Sequence, residues 1–284
     1  MELVEVTGVA SVPLKWEETL LMPIGDVQLG PNCDTERFRK HIQWGIDHNA
    51  YFLGMCDYVD CASPSNRKQL RSASLYDSVV SNLELGAEKD VSDFLELVKG
   101  TEGRWLGLLE GHHFYEFLDG TTTDTRLAQA LKTPFLGTCA FVRLRYTRPS
   151  SNESLTATIW CHHGAGGGTK AGSPLTKIEN LLPYFDADIY LIGHQHKKVS
   201  APIDQLYMTH KKPYMLNHKT KILACTGSFL RGYNQGSRTN RAQGTYVEKA
   251  MMNPVALGGI LVKIRPTRDN QRHAPSRLDL GIEL

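Results

Sequence analysis

Several features that would place a chain of 284 residues in a familiar class are absent here. None of the six cysteines forms a CxxC pair, so we expect reduced thiols rather than disulfides or a dithiol site. No apolar run approaches about 18 residues, so the sequence predicts no membrane span. The first residues lack a basic stretch followed by an apolar one, so we expect no secretory signal and a cytoplasmic location.

The sequence also lacks a strong charge, an internal repeat and a Pro/Ser-rich linker. The formal net charge is +2, which argues neither for nor against a nucleic-acid partner, because basic residues can still cluster locally. The glycine-rich GAGGG stretch at 164–168 does not have the GxxxxGK[ST] spacing of a phosphate-binding P-loop. Without a dividing linker, residues 1–284 are expected to form a single domain with a large core.

What the sequence does contain is an alternation of strand-like and helix-like segments. The first half alternates the two, and the second half is richer in strands, a mixture that predicts a layered α/β sandwich. Strands are predicted over 19–24, 50–55, 105–109, 138–146, 155–161, 188–192, 214–217, 221–225 and 259–264, and helices over 34–49, 67–85, 91–98, 124–131 and 174–185. The polar stretch 232–244 is predicted to be a loop.

Polar side chains follow five of the predicted strands, at the point where each strand ends. The carboxyl ends of strands in an open α/β sheet open onto one crevice, so side chains from five loops can meet there. A single histidine after a strand is more often a surface or capping residue, but five such loops in order favour a common site. The residues concerned are Asp26, Gln28, Asp57, His112, His113, His162, His163, His194 and His196.

These residue types suit a pair of divalent metal ions. Carboxylate and amide oxygens combined with imidazole nitrogens favour Mn, Fe, Zn and similar ions, whereas an all-oxygen set would favour Mg or Ca. A carboxylate such as Asp57 can bridge two metals. Such a pair, about 3.5–4 Å apart, can activate a water and bind the oxygens of a phosphate, so no Ser or Cys nucleophile is required.

The order of these groups resembles the calcineurin-like metallophosphoesterase superfamily, whose pattern is GDxH, GD, GNH[DE], a His beside Gly, and GHxH. The resemblance covers about residues 19–230. Within the superfamily, the sequence is loosely similar to phage-borne and bacterial members, some of which are likened to DNA-repair nucleases. It departs from the pattern at Gln28, which stands where relatives have His, and at His112, which stands where they have Asn. The matching blocks are Gly25-Asp26-Val27-Gln28, Gly54 to Asp57, Gly111-His112-His113, His162-His163-Gly164, Gly193-His194-Gln195-His196 and Gly227-Ser228.

The resemblance implies a four-layer α/β/β/α sandwich of two mixed β-sheets and a dinuclear metal site. Asp26 and His196, with Gln28 beside them, would hold one ion. Asp57 would bridge to a second ion held by His112, His194 and one of His162 and His163. His113 would stay off the metals and act as the acid for the leaving group. The expected cofactors are two divalent ions, with Mn expected first and Fe, Zn, Ni, Co or Mg as alternatives.

The resemblance implies a phosphate ester as substrate but does not specify which one. Arg67, Arg71, Arg238 and Arg241 are either a solvated basic surface or a rim that binds an anionic ester or a nucleic-acid backbone. We expect a metal-dependent phosphoesterase that favours phosphodiesters, including nucleic acids or nucleotides, over monoesters. The alternatives are a scaffold or binding protein that kept the fold without turnover, and a nuclease that needs a partner chain. The oligomeric state, a homodimer included, is open.

Overall fold

The structure is a computed structural model, and it describes residues 9–149, 151, 153–208, 214–233, 245–268 and 276–284. The strands are β1 (Val9–Lys15), β2 (Thr19–Ile24), β3 (Tyr51–Gly54), β4 (Trp105–Leu108), β5 (Cys139–Thr147), β6 (Ser154–His162), β7 (Ile189–Ile192), β8 (Lys198–Met208), β9 (Leu216–Thr226), β10 (Leu261–Thr267) and β11 (Arg277–Glu283). The helices are α1 (Thr35–Asp47), α2 (Pro64–Ser72), α3 (Asp77–Leu97), α4 (Thr123–Ala130), α5 (Ser173–Glu179) and α6 (Tyr246–Lys249).

The strands form two sheets, each of mixed direction. The six-stranded sheet has the order β1-β5-β6-β7-β9-β8, and the five-stranded sheet has the order β11-β10-β2-β3-β4. In the six-stranded sheet β6, β7 and β9 run parallel, and in the five-stranded sheet β2, β3 and β4 run parallel. The remaining neighbours pair antiparallel, except β1, which runs parallel to β5.

The sheets pack face to face with helices on both outer sides. Residues from both sheets, such as Leu53, Val142 and Val262, share one buried core. A second core joins the five-stranded sheet to α1, α3 and α4, and a third joins the six-stranded sheet to α5. The order of layers is therefore helix, sheet, sheet, helix, and the predicted four-layer α/β/β/α sandwich is confirmed.

The local sequence explains the elements that carry the site. Asp34 caps α1 by accepting a hydrogen bond from the Arg37 N–H, and Phe38 and Ile42 of that helix are buried one turn apart. β4 and β7 are buried at every position, as strands covered on both faces are. Because β2, β3 and β4 are parallel, the loops that follow them leave the same edge of their sheet.

Some predicted boundaries were wrong. The helices predicted over 67–85 and 91–98 are instead α2 and α3, which are separated at Ala73, where the backbone is extended. α3 then continues through residues 86–90, because Ala87, Val91 and Phe94 place one continuous buried face on it. The helix predicted over 174–185 ends at Glu179.

Three strands were not predicted, and two separately predicted strands fall on a single strand of the structure. β1, β8 and β11 are edge strands without a continuous apolar run, and each pairs with one neighbouring strand. The segments predicted over 214–217 and 221–225 belong to the single strand β9. Most of the predicted loop at 232–244 lies outside the described residues. Within the described parts of the chain, no helix has the length and apolar character needed to cross a membrane.

Candidate metal centre

Five loops meet at one edge of the two sheets. They follow β2, β3, β4, β6 and β7, as the sequence predicts, and main-chain hydrogen bonds join the first two. The Asp26 N–H donates to the Cys56 carbonyl at 3.1 Å, and the Gln28 N–H donates to the Asp57 carbonyl at 2.8 Å. The loop after β7 joins them, because the His194 N–H donates to Asp26 Oδ2 at 2.7 Å.

The carboxylate of Asp57 lies at the centre of this arrangement. Its Oδ1 accepts hydrogen bonds from the backbone N–H groups of His112 at 2.5 Å and His113 at 3.0 Å. Its Oδ2 lies 3.3 Å from Nε2 of His163. One oxygen of Asp57 therefore fixes the loop after β4, while the other faces the histidine after β6.

Three buried atoms at this place have no hydrogen-bond partner. They are Asp26 Oδ1, Asp57 Oδ2 and His163 Nε2, and they account for half of the six buried side-chain atoms in the described residues that lack one. The ligand atoms of these three residues lie within 4.8 Å of one another. A buried polar atom without a partner costs free energy, and two carboxylates with an imidazole are a suitable donor set for a divalent cation. The residues present therefore fit a metal ion.

A second group of ligand atoms adjoins the first. His112, His163 and His194 also have nitrogens within 4.8 Å of one another, and Nδ1 of His112 lies 3.2 Å from Nδ1 of His194. His163 belongs to both groups. Two adjoining sets of donors are what a pair of metal ions at close spacing would require.

The structure separates the two histidines that sequence reasoning left equivalent. His163 is 2% exposed and faces Asp57, whereas His162 is half-buried and accepts a hydrogen bond from the Gly164 N–H on its Nδ1 at 2.7 Å. His162 is the last residue of β6 and stacks on Trp160, two residues earlier. Because side chains alternate along a strand, His162 shares the face of Trp160, which packs toward α5.

The remaining predicted ligands lie beside these groups. Nε2 of His196 is 3.5 Å from Asp26 Oδ1, and its side chain is 19% exposed. Gln28, two residues after Asp26, is buried, and its backbone lies in the left-handed region at φ 45°. The structure thus places the loops after β2, β3, β4 and β7, which carry predicted ligands, around one site. Of the two histidines at the end of β6, only His163 faces that site.

Burial and mutual charge perturb the ionisation of the cluster. Burial raises the pKa of Asp26, and the neighbouring Asp57 adds to that effect. Burial would also raise the pKa of Asp57, but His163 and the backbone N–H of His112 lower it below its usual range. Burial lowers the pKa of His194 and of His196 to about 4, so both rings are neutral and can act as ligands near pH 7. Perturbations in opposite directions within one cleft are typical of functional sites.

The backbone of these loops is strained. Nine non-glycine residues in the described parts of the chain have φ in the left-handed region, and six of them lie in the loops after β2, β3 and β7: Asp26, Gln28, Cys56, Asp57, His194 and His196. Such conformations cost of order 1–3 kcal/mol each and persist where the surrounding structure enforces them. Their concentration here indicates a site whose geometry has been maintained at the expense of stability.

Close approach explains the glycine of the GHH motif. A Cβ on Gly111 would lie against Asp57 Oδ1 and 2.5 Å from the Asp57 backbone nitrogen. The Gly111 N–H donates to Asp124 Oδ2 at 3.0 Å. Only a residue without a side chain leaves room for Asp57 at this point.

Two acidic residues support the site although the sequence did not point to them. Asp60 Oδ1 lies 2.8 Å from Nδ1 of His113, and Asp124 is 1% exposed behind Gly111. Asp60 stands three residues after Asp57, and its nearness to His113 depends on the fold. Asp124 looks in the sequence like an ordinary acidic residue in the first turn of a helix.

The four predicted substrate arginines are placed unequally. Nη1 of Arg67 donates to the carbonyls of Ala62, His112 and Phe114 at 2.6, 2.7 and 3.1 Å, and its guanidinium lies over the Phe114 ring. Arg67 therefore braces the loop after β4. Arg71 forms an exposed ion pair with Glu116. Arg238 and Arg241 lie outside the described residues.

Comparisons with known proteins give distant structural similarity alone. No protein-family model matches the sequence, and no curated protein matches it significantly. Vacuolar protein sorting 29 from Cryptosporidium parvum is 11% identical, with a TM-score of 0.36 over 94% of this chain and 98% of that chain. A conserved uncharacterized protein, a predicted phosphoesterase, from Streptococcus pneumoniae TIGR4 is 10% identical, with a TM-score of 0.32 over 87% of this chain and 82% of that chain. GAP50, the anchor in the inner membrane complex of Plasmodium, is 11% identical, with a TM-score of 0.40 over 88% of this chain and 82% of that chain. At these values no activity or ligand follows from the similarity.

Proposed function

We propose that this chain is a metal-dependent phosphoesterase of the calcineurin-like metallophosphoesterase superfamily that favours phosphodiesters, including nucleic acids or nucleotides. The observation that carries the proposal is the convergence of three buried atoms without hydrogen-bond partners, Asp26 Oδ1, Asp57 Oδ2 and His163 Nε2. The strained backbone around them supports a functional site, because a fold retained only for its shape has no need of it. All six cysteines are free, in keeping with action in the reducing cytoplasm.

The proposal assigns the ligands as follows. Asp26 and His196, with Gln28 beside them, would hold one divalent ion, and Asp57 would be shared with a second ion that His112, His163 and His194 would hold. Two ions held there would supply an activated water and positive charge for the phosphate oxygens. The mixed oxygen and nitrogen donors favour Mn, with Fe, Zn, Ni, Co or Mg as alternatives.

His113 is the proposed proton donor to the leaving group. Its side chain is 27% exposed, and its Nδ1 lies 2.8 Å from Asp60 Oδ1. With Nδ1–H donating to Asp60, Nε2 is proposed to face the substrate. Burial would lower the pKa of His113, but Asp60 and Asp57 raise it above its ordinary value. The Asp60 carboxylate in particular favours the protonated ring that a proton donor to the leaving group requires.

The inclusion of nucleic acids among the proposed substrates rests on basic side chains that could bind a polyanionic backbone. Arg71 and Lys68 lie on α2, which follows the loop of Asp57, and Arg238 and Arg241 are proposed to complete the rim. Nη1 of Arg67 donates hydrogen bonds to three carbonyls. We therefore propose that Arg67 supports the loop after β4 and does not contact the phosphate directly.

The test is hydrolysis of an aryl phosphodiester and an aryl phosphomonoester in the presence of Mn²⁺. Asp57→Asn is expected to abolish turnover of both substrates. Asp47→Asn changes an exposed carboxylate on α1 and is expected to leave turnover unchanged, which makes it the matched control. Full activity in Asp57→Asn would contradict the assignment of the site.

A protein that binds without turnover is the second candidate. The observation that favours it is Gln28, a neutral amide at a ligand position where relatives have His. Metal analysis separates the candidates: fewer than one ion per chain after Mn²⁺ loading, together with no hydrolysis of any ester, would favour the binding protein. Cleavage of DNA without cleavage of small esters would instead identify a nuclease.

A further inference from the structure

The hairpin of β8 and β9 extends beyond the sheet that it borders. β8 pairs with β9 along all of Lys198–Met208, but β9 pairs with β7 only through Ile222 to Cys225. The outer half of the hairpin, which we define as residues 203–208 and 216–221, therefore has two strands and no third hydrogen-bonded neighbour among the described residues. A two-stranded ribbon is only marginally stable in water by itself, and a third strand or more is needed.

The end of this hairpin exposes large apolar side chains on both faces. Met208 is directly opposite Leu216, and Leu206 lies on the same face, while Tyr207 points to the other face. Exposed apolar residues that stand singly are normal on a protein surface, but a contiguous group marks an interaction site. The group comprises Leu206, Tyr207, Met208, Tyr214, Met215 and Leu216, with exposures between 43% and 71%.

The free edge of the hairpin is protected only in its inner half. β8 is the last strand of the six-stranded sheet, so within the part of the chain that the structure describes one side of its main chain has no strand partner. Lys198 and Pro202 are residues that discourage edge-to-edge pairing, and both precede the outer half. In Ile203 to Met208 the only charged residue is Asp204, whose carboxylate already accepts a hydrogen bond from Thr220 Oγ1 at 2.7 Å.

We propose that the outer half of β8 is a dimerisation edge, which pairs antiparallel with the same segment of a second copy of this chain about a two-fold axis at Leu206. The pairing would turn two marginal hairpins into one four-stranded ribbon and would cover the free main-chain groups. It is self-complementary, because Leu206 faces Leu206 and Asp204 faces Met208, so no like charges meet.

A lipid surface suits this edge less well than a second copy does. The unpaired N–H and C=O groups of an edge strand cannot be satisfied in hydrocarbon. A strand of a second copy satisfies them and brings the apolar side chains of the two tips together in the same step. Lipid binding is therefore an outcome of the test and not part of the proposal.

The first experiment measures the mass of the full chain in solution by sedimentation. The wild type is expected to be a dimer and Leu206→Asp a monomer, because the variant places two carboxylates opposite each other at the axis. Leu118→Asp changes an exposed leucine elsewhere and should remain a dimer. A circular dichroism melt checks that each variant is folded.

The second experiment tests the register and does not depend on the stability of Leu206→Asp. Leu206→Cys should form a covalent dimer on mild oxidation. Asp204→Cys should not do so alone, but it should when mixed with Met208→Cys. A monomeric wild type, a dimer unaffected by Leu206→Asp, or no cross-link in Leu206→Cys would each overturn the proposal. So would a monomer whose binding to anionic vesicles depends on Leu206.

Discussion

Oδ2 of Asp57 lies 3.3 Å from Nε2 of His163, and the two buried atoms form an ion pair without a well-aligned hydrogen bond to any group. The two residues come from different sheets, since Asp57 follows β3 and His163 follows β6. Burial would lower the pKa of His163, but contact with Asp57 raises it to about 9, so the pair is charged without a metal. Asp57 and His163 would both be available to hold a cation in place of that proton, and this relationship underlies the predictions below.

The two adjacent histidines of the CHHG segment are predicted to differ sharply. His163→Ala should lose more than the roughly 10–100-fold in metal affinity that removal of an outer partner costs. His162→Ala should bind metal nearly as the wild type does, because its ring faces Trp160 and accepts from the Gly164 N–H. Calorimetric titration with Mn²⁺ measures both. Equal losses in the two variants would contradict the placement of His163.

Gly111 is predicted to tolerate no side chain. Gly111→Ala should destabilise the fold by about 1–3 kcal/mol, because the new methyl group would press on the backbone and carboxylate of Asp57. It should also weaken Mn²⁺ binding. Gly86→Ala is the control: it lies exposed in α3 with nothing within 4 Å of a Cβ, and should stabilise the fold by about 0.5–1 kcal/mol. Urea unfolding compares the variants, and similar effects at both glycines would be inconsistent with the close approach.

The loss of kcat on removal of His113 is predicted to be larger when the leaving group needs a proton to depart. His113→Ala should lower kcat for an alkyl phosphodiester by about 10²–10⁴-fold and for a nitrophenyl diester much less, since nitrophenolate departs without a proton. Asp60→Asn should follow the same trend more weakly, because it loosens the hold on Nδ1 at 2.8 Å. His48→Ala, on an exposed histidine stacked on Trp44, serves as control. An equal loss for both substrates would show that His113 is not the proton donor.

Asp124 is predicted to make stability fall as pH rises. Burial, with smaller effects of Asp57 and Glu110, raises its pKa to about 7 from near 4 in the unfolded chain. Between these values the folded state holds a proton that the unfolded state has released. The contribution of Asp124 to the free energy of unfolding should therefore decline from about pH 4 to about pH 7, by at most about 1.4 kcal/mol per pH unit, and level off above. His194 and His196, whose pKa is lowered, contribute in the opposite direction over this range.

Asp124→Asn removes this titration while its amide oxygen can still accept from the Gly111 N–H. Urea unfolding in EDTA at several pH values should show that the free energy of unfolding of the wild type, relative to that of the variant, falls as the pH rises from about 4 to about 7. Parallel curves would show that Asp124 is not the source of the pH dependence.

The sequence predicted the layers and the loops of the site because both depend on local pattern. Buried strands such as β4 and β7 are continuous apolar runs, and polar residues mark the point at which each run ends. β8 could not be predicted in this way, because its strand conformation comes from pairing with β9 rather than from its own apolar pattern. The break between α2 and α3 was misplaced for a similar reason, since the buried face of α3 is set by tertiary packing.

The finer parts of the site depend on distances that no motif contains. The choice between His162 and His163 follows from which face of β6 each side chain takes. Arg67 resembled a phosphate ligand in the sequence, yet its Nη1 is engaged by three carbonyls in its own neighbourhood. Asp60 and Asp124 gain their roles only when residues far apart in the chain come together.

The central proposal is that Asp57 bridges two metal ions held by the adjoining groups of ligand atoms, and a calorimetric titration of metal-free protein with Mn²⁺ tests it most directly. The wild type and Asp47→Asn should each bind two ions per chain, and Asp57→Asn should lose high-affinity binding of both. Binding of fewer than one ion by the wild type, or two ions bound unchanged by Asp57→Asn, would contradict the account.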